Sequence, residues 1–215
     1  MKSNNSLELL EVSLGLDGTG FVGPLSLKIG GGDIVTIMGA SGSGKSSLLN
    51  FICGNLPNIF SQSGQVLLDG VDITNMPPEQ RQVGILFQDD LLFPHMSVGT
   101  NLAFSIPQSV SYRDRKVLVA KALADAGMAD FGKHDPATLS GGQRSRISLM
   151  RTLLARPKAI LLDEPFNKLD STLRQRFRKF VFSHTTKAGI PCILVTHDIE
   201  DAKATKGKII KIGHS

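Results

Sequence analysis

Cysteine is scarce in this chain. Only Cys53 and Cys192 occur, 139 positions apart among 215 residues. With no cysteine or histidine near them at ligand spacing, a disulfide framework and a zinc module are both excluded. The pair reads as two buried small apolar residues of a reducing compartment. Long apolar runs are missing too: no stretch approaches the roughly 18 residues that a membrane-spanning helix needs. The opening Met1-Lys2-Ser3-Asn4-Asn5, followed by Leu7-Glu8-Leu9-Leu10-Glu11, carries no apolar block of signal-peptide type. The expectation is a cytoplasmic protein that meets a membrane only through a partner. Internal repeats and low-complexity segments are absent as well, so neither a solenoid nor a tethered array is in view.

Charge is unbalanced only mildly, 24 Lys and Arg against 19 Asp and Glu, a net +5. The densest basic run, Arg174-Gln175-Arg176-Phe177-Arg178-Lys179, interleaves Leu173, Phe177, Phe180 and Val181 at helical spacing. It reads as the solvated face of an amphipathic helix rather than a nucleic-acid surface. A hydrophobic fraction of 41% over 215 residues is enough for a sizeable core with more than one layer.

Strands are expected at Leu7 to Val12, Leu25 to Ile29, Ile34 to Ile37, Gln65 to Leu68 and Val83 to Phe87, with a tight turn at Asp69-Gly70. The segment 15–23, rich in glycine, reads as a loop. A helix follows Gly44 to about Asn55. Between residues 89 and 156 the pattern turns helical, with Pro94, Pro107 and Pro136 as breakers and helices over 113–127 and 143–155. Ala159 to Leu162 and Ile190 to Thr196 are apolar on both faces of the pleat, as covered strands of a parallel sheet are. Strands alternating with helices make this an α/β fold with a mainly parallel sheet, an antiparallel β-region ahead of it and a helical insertion, and the G-x-x-x-x-G-K-S loop at 39–46 makes its core that of a P-loop NTPase. One domain is expected over 1–215, its core and β-subdomain in 1–88 and 157–215, its helical subdomain near 89–156.

Gly39-Ala40-Ser41-Gly42-Ser43-Gly44-Lys45-Ser46 is a complete G-x-x-x-x-G-K-[ST] phosphate loop in its required setting, strand before and helix after. Its glycines let successive amides point at an anion, and the helix N-terminus at Lys45-Ser46-Ser47 adds partial positive charge. Lys45 suits the β- and γ-phosphates of ATP, and Ser46 suits Mg2+. Ala159-Ile160-Leu161-Leu162-Asp163-Glu164 then places two carboxylates at the end of a buried strand, where they are costly unless a cation or substrate uses them. Asp163 is placed for the metal shell and Glu164 for accepting a proton from water.

With Leu86-Phe87-Gln88, Leu139-Ser140-Gly141-Gly142-Gln143, Arg146 and Arg151, Leu162-Asp163-Glu164-Pro165, Leu169-Asp170 and Val195-Thr196-His197-Asp198 in that order, the chain resembles the ATP-binding subunit of bacterial ABC transporters over nearly its whole length. The resemblance implies a head-to-tail dimer of two copies sharing two ATP sites. Ser140, Gly141, Gly142 and Gln143 would close over the partner's ATP, and Asp170 would lie at the seam. Gln88 would contact Mg2+ or the attacking water and sense membrane permease subunits. His197 would bond the γ-phosphate and position Glu164. The segment Phe93-Pro94-His95-Met96-Ser97-Val98 is similar to the one where importers receive a permease helix, and a periplasmic solute-binding protein would complete such a system. The short length and the run Gln82 to Gln88 resemble thiamine-type and related small-solute importers.

Three features depart from the family pattern. Leu16 stands where an aromatic usually stacks on adenine, with Phe21 the nearest substitute. Asn167-Lys168 replaces the more usual small residues ahead of Leu169-Asp170. After Asp201-Ala202 the chain runs only to Ser215, which leaves no room for a regulatory domain. Exporter and lipoprotein-release ATPases would share every motif. A soluble ATPase acting on DNA or ribosomes would need a coiled-coil insertion or a second cassette, and a non-hydrolysing regulator would not need Lys45, Asp163, Glu164 and His197 together.

Overall fold

The computed structural model describes residues 5–213; the ends of the expected 1–215 domain, residues 1–4 and 214–215, lie outside the described residues. Two sheets lie back to back. The first is antiparallel, in the order β2 (Thr19–Gly30), β1 (Ser6–Leu16), β4 (Phe60–Leu68) and β5 (Val71–Asp72). The second is parallel, in the order β6 (Val83–Leu86), β7 (Ala159–Asp163), β8 (Cys192–Val195), β3 (Ile34–Met38) and β9 (Ile209–Lys211).

The parallel strands are covered on both faces, and their side chains alternate between two cores. On β7, Ala159 and Leu161 face the core shared with the antiparallel sheet and α1 (Lys45–Cys53), while Ile160 and Leu162 face the helical side. On β8, Ile193 and Val195 join the first core, and Cys192 and Leu194 join the second. Phe177 and Val181 of α5 (Ser171–Ala188) are buried in that second core, so the basic run 174–179 does lie on an amphipathic helix, but its face is not wholly solvated: Arg174 and Arg178 are largely covered and pair with Asp198 and Asp201. Both cysteines are buried, and burial pushes the Cys192 thiol far above its usual range.

Between the adjacent strands β6 and β7 the chain leaves the sheet to form α2 (Val98–Ser105), α3 (Tyr112–Asp125) and α4 (Gly141–Leu154). The segment 15–23 is not a loop: β1 runs to Leu16 and β2 starts at Thr19, with Gly15 paired to Gly20. Asp17 (φ 49°) and Gly18 (φ 78°) supply the two positive φ angles of a two-residue hairpin, so the glycines continue the ladder instead of ending it. The phosphate-loop helix is shorter than expected, because Gly54 takes the left-handed conformation (φ 86°) just past Cys53 and closes it. The buried Arg81 guanidinium then donates to the carbonyls of Phe51 and Ile52, both at 2.9 Å, and so caps the negative end of the helix dipole.

Candidate active site

The loops following β3, β6, β7 and β8 leave the same edge of the sheet, at the carboxyl ends of its strands, where open α/β sheets hold ligands. They meet in a cleft of about 680 Å³ lined by Gly39, Ser41, Gly42, Gly44, Lys45, Ser46, Ser47, Gln88, Asp163, Glu164, Asn167 and His197, with Leu16, Phe21 and Phe60 on its far wall. Gly42 (φ 80°) and Gly44 (φ 87°) take conformations that side chains resist, and a Cβ on Gly44 would collide with the Phe21 ring. Lys45 is buried and donates through Nζ to the carbonyls of Gly39 (2.9 Å) and Ala40 (2.6 Å), with Ser43 Oγ at 3.5 Å. The loop thus wraps its own ammonium, which is already aimed at the anion position.

Asp163 is 6% exposed. Burial raises its carboxyl above the usual range; the Ser46 hydroxyl bond and the Lys45 charge oppose that, and neighbouring Glu164 adds to it. This is a buried oxygen donor pair, carboxylate and hydroxyl, held together and short of positive charge, which suits a hard divalent cation. No cluster of three or more His, Cys, Asp or Glu able to hold a metal occurs among the described residues. A cation here would complete its shell with phosphate oxygens and water, as Mg2+ does in nucleotide sites.

Glu164 is a non-glycine residue at φ 50°, a conformation that costs about 1–2 kcal/mol. Its amide donates to the Val195 carbonyl at 3.0 Å, which fixes the turn at the end of β7. Both carboxylate oxygens are held: Oε1 by His197 Nδ1 at 2.8 Å and Oε2 by Asn167 Nδ2 at 2.7 Å. Asn167 thus bonds Glu164 directly, a contact that its place in the sequence did not suggest.

The other expected residues lie elsewhere. Ser140, Gly141, Gly142 and Gln143 are not among those lining the cleft. They start α4, where Ser140 Oγ accepts from the Gln143 amide (3.3 Å) and Gln143 Oε1 accepts from the Ser140 amide (2.8 Å), a reciprocal capping box. Asp170 caps α5 by accepting from the Leu173 amide at 3.0 Å. At the base end of the cleft, β1 and β4 set Leu16 opposite Phe60. The Phe60 and Phe21 rings meet edge to face, centroids 5.9 Å apart at 75°. Phe60 escaped the sequence reading because its neighbour Leu16 lies 44 positions away and only strand pairing joins them.

A phosphate loop, a terminal strand carboxylate and a held glutamate on a parallel sheet define a P-loop ATPase. The sequence pattern of the ABC transporter family matches residues 22–167, and the chain belongs to that family. It is 47% identical over 193 residues to the ABC transporter ATP-binding protein YnjD of Escherichia coli K12, covering 90% of this chain and 89% of that one. It is 41% identical to the putrescine transport ATP-binding protein PotG of the same organism, covering 94% of this chain and 53% of the relative. It thus spans about half the length of PotG. Among solved structures, the ATP-binding cassette MJ0796, as a post-hydrolysis dimer with ADP and Pi, superposes with a TM-score of 0.82 at 29% identity, over 96% of this chain and 94% of that one. The chain is therefore an ATPase of the ABC fold. No helix among the described residues is long and apolar enough to cross a membrane.

Proposed function

We propose that the chain is the ATP-hydrolysing subunit of an importer of a small solute, working as a head-to-tail dimer on the inner face of the membrane through permease subunits. The observation carrying the hydrolytic part is the double hold on Glu164, with Asp163, Gln88 and Lys45 lining the same cleft. Lys45 and the amides of 39–47 would take the phosphates of ATP. Ser46, Asp163 and Gln88 would hold Mg2+, which when bound neutralises charge on the transferring phosphoryl group. Glu164 accepts the proton of the attacking water, and His197 and Asn167 fix the direction of its carboxylate. His197 would offer its second ring nitrogen to the γ-phosphate.

The remote position of Ser140–Gln143 supports a composite site, because a helix N-terminus preset for an anion stands away from its own subunit's cleft. The relatives named for putrescine and spermidine import favour a small solute as cargo, with the solute itself chosen by other chains, among them a periplasmic solute-binding protein. The 93–98 segment supports permease docking. Buried Asn101 holds its backbone, accepting from the Phe93 amide (2.8 Å) and donating to the carbonyls of Phe93, Met96 and Ser97 (each 3.1 Å). The exposed side chains of Leu91 and Phe104 flank it. The division into a core with β-subdomain (1–88, 157–215) and a helical subdomain (89–156) belongs to the same proposal.

The test is Glu164→Gln. It keeps shape and most hydrogen bonding but cannot accept the proton, so hydrolysis should fall roughly 10²–10⁴-fold while ATP binding persists. The variant should gather as an ATP-bound dimer on size-exclusion chromatography. Near-parent turnover would remove Glu164 from the role of base.

A further inference from the structure

Lys168 lies in the loop between β7 and α5, and its side chain reaches across to the loop that follows β6. Its Nζ donates to the Gln88 carbonyl at 2.9 Å and lies 3.4 Å from Asp90 Oδ2. Asp90, only 10% exposed, is held from the other side by α4: Ser145 Oγ donates to Oδ1 at 2.7 Å, and Arg144 Nε sits 3.6 Å from Oδ2. Arg144 also donates to the Leu139 carbonyl at 2.6 Å, just ahead of the Ser140 cap. The backbone is equally close, since a Cβ on Gly142 would lie 3.0 Å from the Lys168 carbonyl and 3.3 Å from Leu169 Cδ2. One lysine therefore joins the loop of the catalytic glutamate, the loop of Gln88 and the first turns of the helix headed by Ser140.

We propose that Lys168 is a positioning residue, a latch that ties the Gln88 loop and the Ser140 helix to the core through Asp90, so that Ser140 and Gly142 are presented to a second copy in a fixed orientation. The proposal rests on the head-to-tail reading above. Asp90 keeps Ser145 and Arg144 when the lysine side chain is lost, so removing it takes away the polar tie between the helix and the core loop without orphaning a buried carboxylate, while the apolar packing of α4 stays. The phosphate loop shares none of these contacts. Loss of the latch should leave nucleotide binding alone and shift the cost of ordering the Ser140 helix onto dimer closure.

The experiment uses the full chain in the Glu164→Gln background, adding Lys168→Ala, Lys168→Arg or Asp90→Asn. ATP affinity at low protein concentration, by calorimetry, should stay within about threefold of the background for all of them. ATP-driven dimerisation, by analytical ultracentrifugation, should weaken about tenfold in Lys168→Ala and Asp90→Asn, no further when the two are combined, and should recover in Lys168→Arg. Spin labels at Tyr112→Cys on α3 and Val71→Cys on β5, both exposed sites in a chain whose own cysteines are buried, give a second readout. Their distance distribution without nucleotide should broaden in Lys168→Ala and narrow again in Lys168→Arg. Unchanged or tighter dimerisation in Lys168→Ala, no recovery with arginine, a fall in ATP affinity itself, or an unchanged distance distribution would each overturn the latch. Failure of the composite-site reading looks different: the Glu164→Gln background alone would then stay monomeric in ATP, and the latch would fall with it.

Discussion

The two glycine-flanked helix starts of this chain, Lys45 on α1 and Gly141 on α4, are built in opposite ways. The first is wired inward. Its loop wraps Lys45, its far end is capped by buried Arg81, and two other strand ends bring Asp163, Glu164 and His197 to the same cleft. The second is wired to itself, a Ser140–Gln143 capping box at the head of a helix whose first turns lie against Lys168, Leu169 and the Asp90 cluster. Both carry glycines and partial positive charge. The difference teaches that a phosphate site needs convergent groups, and one of the two has them within the subunit. In the proposed head-to-tail dimer the other is half a site.

The sharpest way to break that comparison is to injure one start at a time and then mix. Ser140→Arg should leave ATP binding intact, because its own phosphate loop is untouched, yet lower turnover on the order of 10²-fold or more by blocking closure. Lys45→Ala should lose ATP affinity itself, on the order of tenfold or more, as a buried cation facing the phosphates disappears. In a mixed dimer both lesions fall on one composite site, and the other keeps an intact Lys45 and an intact Ser140. Turnover measured on the mixture should therefore rise above either variant alone. Normal hydrolysis by Ser140→Arg, or no ATP binding by it, would make the two starts independent.

A smaller effect sharpens the base end of the inward-wired site. Leu16 offers no flat ring, and the aromatic surface of the cleft comes from Phe60, across the strand pair, and Phe21, which meet edge to face. Phe60→Ala should weaken ATP and GTP alike by about tenfold, the scale of one lost stacking contact, and leave inorganic tripolyphosphate binding unchanged. Phe21→Ala should act less, through that edge-to-face contact. Calorimetry on the three ligands separates these outcomes, and equal ATP affinity in Phe60→Ala would place the base elsewhere.

What could be read from the sequence follows from how local each feature is. The phosphate loop and the buried run ending at Asp163-Glu164 announce themselves in short windows, because a glycine-rich loop and strand-end carboxylates are local facts. The 15–23 segment misled because glycine marks a loop and a hairpin ladder equally well until the partner strand is known. Phe60, Asn167 and Arg81 carry no local signature. Each acts through a residue that the sheet or a turn brings near: Leu16 across β1–β4, Glu164 at a left-handed backbone, the carbonyls of α1 thirty positions back. Lys168 was visible as an oddity, but its purpose needed Asp90 in space.

The smallest effect concerns stability, and it sets the two starts apart by what each costs at rest. The Ser140 cap is self-satisfied, whereas the cleft stores a buried carboxylate whose burial Ser46 and Lys45 offset only in part. Burial raises Asp163 above its usual range, so its charged form is disfavoured in the fold relative to the unfolded chain. The folded pKa being the higher one, the penalty is fully present above it and is relieved as pH falls through it, where the folded state takes up a proton first. Asp163→Asn removes the charge and keeps the shape. It should raise the melting temperature of the nucleotide-free protein at pH 7–8 by a few degrees, about what 1 kcal/mol gives in a chain of this size, while abolishing Mg2+-dependent hydrolysis. The gain should shrink as pH is lowered, because the parent then neutralises the same group by protonation. Adding Mg2+ with ATP should reverse the order and favour the parent, whose carboxylate now has its cation. Scanning calorimetry across pH, with and without Mg2+–ATP, reads all three trends. A variant less stable than the parent at every pH would mean that Asp163 is held by Ser46 and Lys45 well enough to stabilise the empty cleft.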